Sequence, residues 1–162
     1  MSAPAAVPIA LRLEVEDFYA AYIETLDDGD IAAWPDFFIE NCTYKLIARE
    51  NYDRGLPLAT LWCESKGMLK DRIYAWTKTL TYAPRHYRHL LSNLRIHAVA
   101  GDTIVTRANY LVIQSTTDDL AKVASAGKYI DTLTREEGRL KFAEKLSIFD
   151  TMLIPNSIVR PM

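Results

Sequence analysis

Residues 86–114 read HYRHLLSNLRIHAVAGDTIVTRANYLVIQ, and this stretch decides the architecture. Two long apolar-rich runs flank Gly101-Asp102, a dipeptide suited to a two-residue hairpin loop, so the stretch is expected to form paired antiparallel strands. With that loop, Ala98 faces Val105, Leu94 faces Asn109 and Leu90 faces Ile113. These residues share a face rich in apolar groups, and that face is expected to take the helices. The opposite face would show His89, Asn93, Arg95, His97, Thr106 and Gln114 beside Val99, Ile104, Tyr110 and Val112, a mixture that suits a protein partner. The assignment depends on register, because a bulge or a longer loop exchanges the two faces.

Downstream, turn signals at Thr117-Asp118-Asp119 and Glu136-Glu137-Gly138 extend the hairpin into an antiparallel meander. Upstream, Leu11, Val15, Phe18, Tyr19, Tyr22, Ile23 and Leu26 recur at helical spacing and predict a helix stopped by Asp27-Asp28-Gly29. Asp30 can cap a short second helix carrying Trp34, Phe37 and Phe38, with Pro35 tolerated near its start. Alternation from Cys42 to Ala48 predicts a strand, and a loop with Asn51, Gly55 and Pro57 follows it. Ser65 can cap a third helix with Leu69, Ile73, Trp76 and Leu80 on one stripe, ended by Pro84. The class is α+β. A curved, mixed, mainly antiparallel sheet with about three helices from the N-terminal half on one face resembles the cone-shaped fold of the nuclear transport factor 2 and scytalone dehydratase superfamily. Residues 1–10 are expected to be a flexible leader and residues 11–162 a single domain.

The composition, 49% hydrophobic and 25% charged over 162 residues, describes an ordinary globular chain with one core. A net charge of -2 and scattered Lys and Arg argue against nucleic-acid and anionic-membrane partners. Only Cys42 and Cys63 are present, without a C-x-x-C spacing, so reduced thiols in a cytoplasm are expected. No run approaches the ~18 apolar residues of a membrane span, and the first residues lack the basic start of a signal peptide.

Chemistry is hard to place on this chain. On a regular strand His86 and His89 point to opposite faces, while His89 and His97 share one but lie about 26 Å apart, so a metal site from these three is not expected. The C-x-H and C-x-x-H pairs of a Rieske cluster are missing at both cysteines. Tyr44, Asp53, His86, His89, Tyr129 and Asp131 are candidates for acid/base work in the mouth of a cone. The favoured reading is packed tyrosines, aspartates at turns or paired with arginine, and a structural or intersubunit histidine, because nothing in the spacing makes any pair converge. No nucleophile elbow, phosphate loop or dinucleotide fingerprint appears.

Several blocks of sequence carry a family resemblance. Trp34-Pro35-Asp36-Phe37-Phe38, Cys42-Thr43-Tyr44, Arg49-Glu50-Asn51-Tyr52 and Gly55-Leu56-Pro57-Leu58 resemble the first half of small subunits of Rieske-type aromatic-ring-hydroxylating oxygenases. Glu64-Ser65-Lys66-Gly67-Met68-Leu69-Lys70-Asp71-Arg72-Ile73, Arg88-His89-Leu90-Leu91-Ser92-Asn93 and the segment Phe149 to Ser157 are similar to later blocks of the same family, in the same order.

The resemblance implies a non-catalytic structural β subunit in an α3β3 hexamer, forming a trimeric base under three large (α) subunits. Those subunits would hold the Rieske [2Fe-2S] cluster and a mononuclear iron, fed by a reductase or ferredoxin from NADH or NADPH. No cofactor is then expected in this chain. Similarity is closest to oxygenases of aromatic carboxylates, with salicylate 5-hydroxylase the nearest. Arg72, Arg88, His89 and Asn93 are candidates for the trimer or large-subunit contact, or equally for hydrogen bonds within the chain. The alternative functions are a stand-alone cone-fold dehydratase or isomerase and a small-ligand binding module.

Overall fold

The apolar stripe near the start of the chain forms helix α1 (Ile9–Asp27), which buries Val15, Tyr19, Tyr22 and Leu26. The computed structural model describes residues 7–79, 81–151, 154, 158 and 160–162. The Asp30 carboxylate accepts from the Ala32 N–H at 2.9 Å and starts a 3₁₀ turn, Ile31–Phe37, that buries Trp34. Strand β1 (Phe38–Ala48) begins at Phe38 rather than Cys42, because Phe38 is itself a buried, extended residue. A helical turn, α2 (Arg49–Asp53), stands where a loop was expected, and β2 (Leu61–Cys63) is a short strand that the alternation pattern did not reveal. Ser65 caps α3 (Lys66–Tyr74) by accepting from the Met68 N–H at 3.3 Å. A π turn, Ala75–Thr79, continues it and buries Trp76, while Leu80 lies outside the described residues. The meander then runs as β3 (Arg85–Ala100), β4 (Thr103–Thr116), β5 (Lys122–Glu136) and β6 (Arg139–Phe149).

These strands make one six-stranded sheet in the order β2-β1-β6-β5-β4-β3. It is mixed because β1 runs parallel to β6, and every other pairing is antiparallel. The β3–β4 turn is the two-residue loop expected, with Gly101 at φ 59° where a side chain would be strained. Ala98 meets Val105 as the loop dictates. Two bulges on β3, between Ser92 and Arg95 and between Ile96 and Ala98, then slip the ladder. Leu90 therefore meets Leu111 rather than Ile113, and Asn109 meets Ser92 rather than Leu94.

The expected faces are exchanged along β4 and along β3 before its first bulge, while between the bulges Leu94 packs on the core and Arg95 is exposed, as expected. Ile104, Thr106, Ala108, Tyr110 and Val112 of β4 are buried with Tyr87 and His89 of β3, on the concave side that packs on α1. Leu90 is 48% exposed, and Ala98 and Asn109 are exposed, on the convex side. Thr106 and His89 of the inner face are tolerated because each finds a partner on α1, Tyr19 and Asp27 respectively. The convex side is covered in one place only among the described residues. Helix α2 contacts β1 and β6 there, over Ile47 and Ile148, which are buried apart from the main core.

Candidate functional site in the concave face

The centre of the concave face is built by a register shift. The β5–β6 hairpin turns through Glu137 (φ 51°) and Gly138 (φ 78°), with Glu136 opposite Arg139. Strict pairing from that turn would put Glu144 opposite Asp131, but a bulge between Thr132 and Leu133 brings Lys145 there instead. Asp131 and Lys145 are both wholly buried, 2.9 Å apart. The same Asp131 oxygen accepts from the Tyr19 hydroxyl at 2.5 Å, and its other oxygen accepts from the Leu146 N–H at 3.2 Å. Tyr19 lies 2.7 Å from the Thr106 hydroxyl, which donates to it. The Lys145 ammonium sits 3.5 Å from the centre of the Tyr129 ring and 4.8 Å from that of Phe142, so aromatic faces complete its shell.

Burial pushes Asp131 above and Lys145 below their ordinary values, and each partner opposes that drift in the other. Burial also raises Tyr19 and Tyr129 well above the usual phenol, so both stay neutral. The Tyr129 hydroxyl is buried and has no partner among the described residues. Asp131 is different, since three donors use its two oxygens. A general base needs a lone pair that faces substrate, and three protein donors already take most of the roughly four acceptor positions of this wholly buried carboxylate. A cavity of about 580 Å³ is an open groove between α1 and the β5–β6 turn, lined by Phe18, Phe37 and Leu140 rather than by Asp131, Lys145 or Tyr129.

Nearer the rim, the chain's own backbone occupies the polar groups. The Tyr44 hydroxyl donates to the Met162 carbonyl at 3.1 Å and accepts from the Met162 N–H at 3.0 Å, while Ser147 donates to the same carbonyl at 2.7 Å. His89 Nδ1 lies 2.5 Å from Asp27 Oδ1 and its Nε2 lies 3.1 Å from the Pro161 carbonyl, so each ring nitrogen faces an oxygen. The His89 N–H donates to the other Asp27 oxygen at 2.9 Å.

Of the other residues singled out in the sequence, Arg88 points outward and pairs with Asp28 at 2.8 Å. Arg72 is exposed on α3 beside the Cys63 thiol. Asn93 is exposed in the first β3 bulge at φ 55°. Asp53, His86 and His97 are exposed and join no cluster with Tyr44, Tyr129 or Asp131. Among the described residues no group of three or more His, Cys, Asp or Glu stands close enough to hold a metal ion. His89 uses both ring nitrogens on oxygen acceptors, and burial pushes the Cys42 thiol up to about 11. These residues do not fit an iron centre.

Residues 8–145 match the family described as the SnoaL-like domain. The chain is 36% identical to the anthranilate 1,2-dioxygenase small subunit of Burkholderia cepacia, over 87% of this chain and 88% of that one. The chain belongs to the small-subunit family of aromatic-ring-hydroxylating dioxygenases. This small subunit is also 29% identical to terephthalate 1,2-dioxygenase terminal oxygenase component subunit beta 2 of a Comamonas species, over 93% of this chain and 98% of that one. The solved beta subunit of a candidate aromatic-ring-hydroxylating dioxygenase from Novosphingobium aromaticivorans superposes with a TM-score of 0.85. It is 36% identical, over 96% of this chain and 100% of that one. The cone-shaped fold is therefore the fold of this small subunit.

Sequence reasoning named Tyr44, His89, Tyr129 and Asp131 but missed the residues that occupy them: Tyr19, Thr106, Lys145 and Asp27. Opposite charges on facing strands were a usable signal for Asp131 and Lys145, but only with the bulge in β5–β6 in hand.

Proposed function

We propose that this chain is the non-catalytic, structural β subunit of a Rieske non-haem iron oxygenase that hydroxylates an aromatic carboxylate, with salicylate the first substrate to try. The large subunit holds the [2Fe-2S] cluster and the mononuclear iron, and a reductase with or without a ferredoxin supplies its electrons. Three copies of this chain form the base of an α3β3 hexamer in the cytoplasm. Each copy is a single domain behind a short leader, with α1 beginning at Ile9, inside the leader expected over residues 1–10.

The observation that carries the structural role is the state of the concave face, where a cone-fold enzyme would keep its acid/base pair. Asp131 is wholly buried and surrounded by Tyr19, Lys145 and the Leu146 N–H, and the 580 Å³ groove is lined by other residues. The aromatic-carboxylate reading draws on the relatives. Anthranilate and terephthalate, the acids for which these two relatives are named, are both benzene carboxylates. Arg72, Arg88 and Asn93 are exposed and free to meet another subunit, whereas His89 acts on any interface by fixing β3 to the end of α1.

Co-expression with a large oxygenase subunit tests this reading by native mass, iron content and turnover of a panel of benzoates. The expected result is a hexamer that carries iron only when the large subunit is present and oxidises salicylate or a related acid. A chain that ignores the large subunit and dehydrates or isomerises a small substrate alone would contradict it.

A further inference from the structure

One polar cluster at the rim of the concave face is served by a segment outside the sheet and the helices. Tyr44 of β1, Ser147 of β6 and His89 of β3, all buried, converge on residues 161–162. The Tyr44 and Ser147 hydroxyls donate to the Met162 main-chain oxygen at 3.1 Å and 2.7 Å, and the Tyr44 oxygen accepts from the Met162 N–H at 3.0 Å. His89 Nε2 lies 3.1 Å from the Pro161 carbonyl. Met162 itself is buried in the hydrophobic core beside them.

Other buried hydroxyls of this face are satisfied within the regular elements, Tyr19 by Thr106 and Asp131 and Tyr110 by Ser125. The described residues of 150–162, by contrast, belong to no helix or strand. Segments without a ladder of their own are those that open at the low end of the stability range. Each of these hydrogen bonds ends on a main-chain atom of the segment, so any molecule with the same donor and acceptor can make it. Only the Met162 side chain contributes through its identity. Departure of the segment strands two hydroxyls and a ring nitrogen in a buried place, which is costly unless another occupant takes over their bonds.

We infer that residues 161–162 are an exchangeable plug over a latent binding site, and that the occupant they give way to is a small carboxylic acid. That acid carries an apolar body and a hydrogen-bond donor beside its carboxyl group. The carboxyl oxygen takes the two hydroxyls that serve Met162, the donor takes the Tyr44 oxygen in place of the Met162 N–H, and the apolar body fills the space of the methionine side chain. A benzoic acid with an ortho hydroxyl or amino group has this form. The choice of an aromatic acid rests on the subunit reading above; the plugged site does not. No covalent step is involved, and the consequence of occupancy is release of the segment.

The experiment titrates salicylate, benzoate and N-acetylmethionine amide into the isolated full chain, reading binding by calorimetry. The chains are wild type, Met162→Asp, and Met162→Asp combined with Tyr44→Phe and Ser147→Ala. Removing the apolar anchor raises the open fraction, so salicylate is expected to bind Met162→Asp about tenfold or more tightly than wild type. Benzoate, which lacks the ortho donor, should bind more weakly than salicylate, and loss of the two hydroxyls should abolish the gain. In the wild-type chain salicylate should speed hydrogen exchange at the Met162 amide. Met162→Ala, a milder change, should give the same order of affinities and replaces Met162→Asp if that chain does not fold. A folded anchor variant that binds none of the three probes more tightly than wild type would overturn the inference, as would salicylate binding that survives loss of both hydroxyls. Binding of the amide without salicylate would overturn the choice of an aromatic acid. None of these measurements uses the large subunit, so their failure is distinguishable from failure of the subunit reading.

Discussion

The two faces of β3–β5 both depart from a strict division into polar outside and apolar inside. The concave face buries Thr106, Ser125, Asp131 and Lys145, each satisfied by a partner, while the convex face leaves Leu90 and Val123 in solvent. Satisfaction rather than polarity decides which side is core, because a paired polar group is tolerated inside and an unpaired one is costly. The convex apolar groups then await a cover that α2 supplies only over Ile47 and Ile148.

The largest expected effect comes from breaking that satisfaction at its centre. Asp131→Ala strands the wholly buried Lys145 ammonium and should cost about 3–5 kcal/mol in urea unfolding. Replacing both partners, Asp131→Leu with Lys145→Met, should recover most of that loss, because a matched apolar pair leaves no orphan charge. A double variant no more stable than Asp131→Ala would mean that the pair organises the core beyond its own charge.

Neighbouring residues on opposite faces sharpen the comparison. His89→Leu removes three hydrogen bonds at a buried site and should lower stability by about 1–3 kcal/mol. Arg88→Ala removes an outward pair whose side chains are 56% and 63% exposed, and should change stability by about 1 kcal/mol at most. Equal losses in thermal melts would erase the distinction between the faces at β3.

The smallest effect is electrostatic and lies at the surface. Hydrogen bonds from Arg135 hold the Glu14 carboxyl below the ordinary 4.5, against a weak opposing effect of burial. A depressed folded value means that this pair stabilises the fold above the unfolded value and loses its contribution as pH falls through the folded one. Glu14→Gln should therefore leave a shallower acid limb below about pH 4.5 in a stability-versus-pH series, and little change near neutrality. An unchanged acid limb would show that the pair is solvated away.

Most of the fold was legible because its signals are local. Helical spacing from Leu11 to Leu26, the caps at Asp30 and Ser65 and the turn at Gly101-Asp102 each act within a few residues, and each appears in the structure. Short elements escaped, since α2 and β2 are held by packing on β1 rather than by a pattern of their own. The faces escaped for a different reason. Their assignment depended on which polar residues find partners, and those partners lie far away in sequence, as Tyr19 does from Asp131 and Asp27 does from His89. Half of the concave cluster was visible as residue types, but the bulge that sets Lys145 rather than Glu144 opposite Asp131 leaves no mark in the alternation.

In the proposed function the concave face is structural and the partner subunit does the chemistry. The most direct test is turnover of the assembled oxygenase carrying Asp131→Leu/Lys145→Met or Tyr129→Phe in this chain, normalised to its iron. The account predicts turnover equal to wild type in complexes of wild-type mass and iron content. A complex with the same mass and iron that has lost turnover would place catalysis in the cone and contradict it.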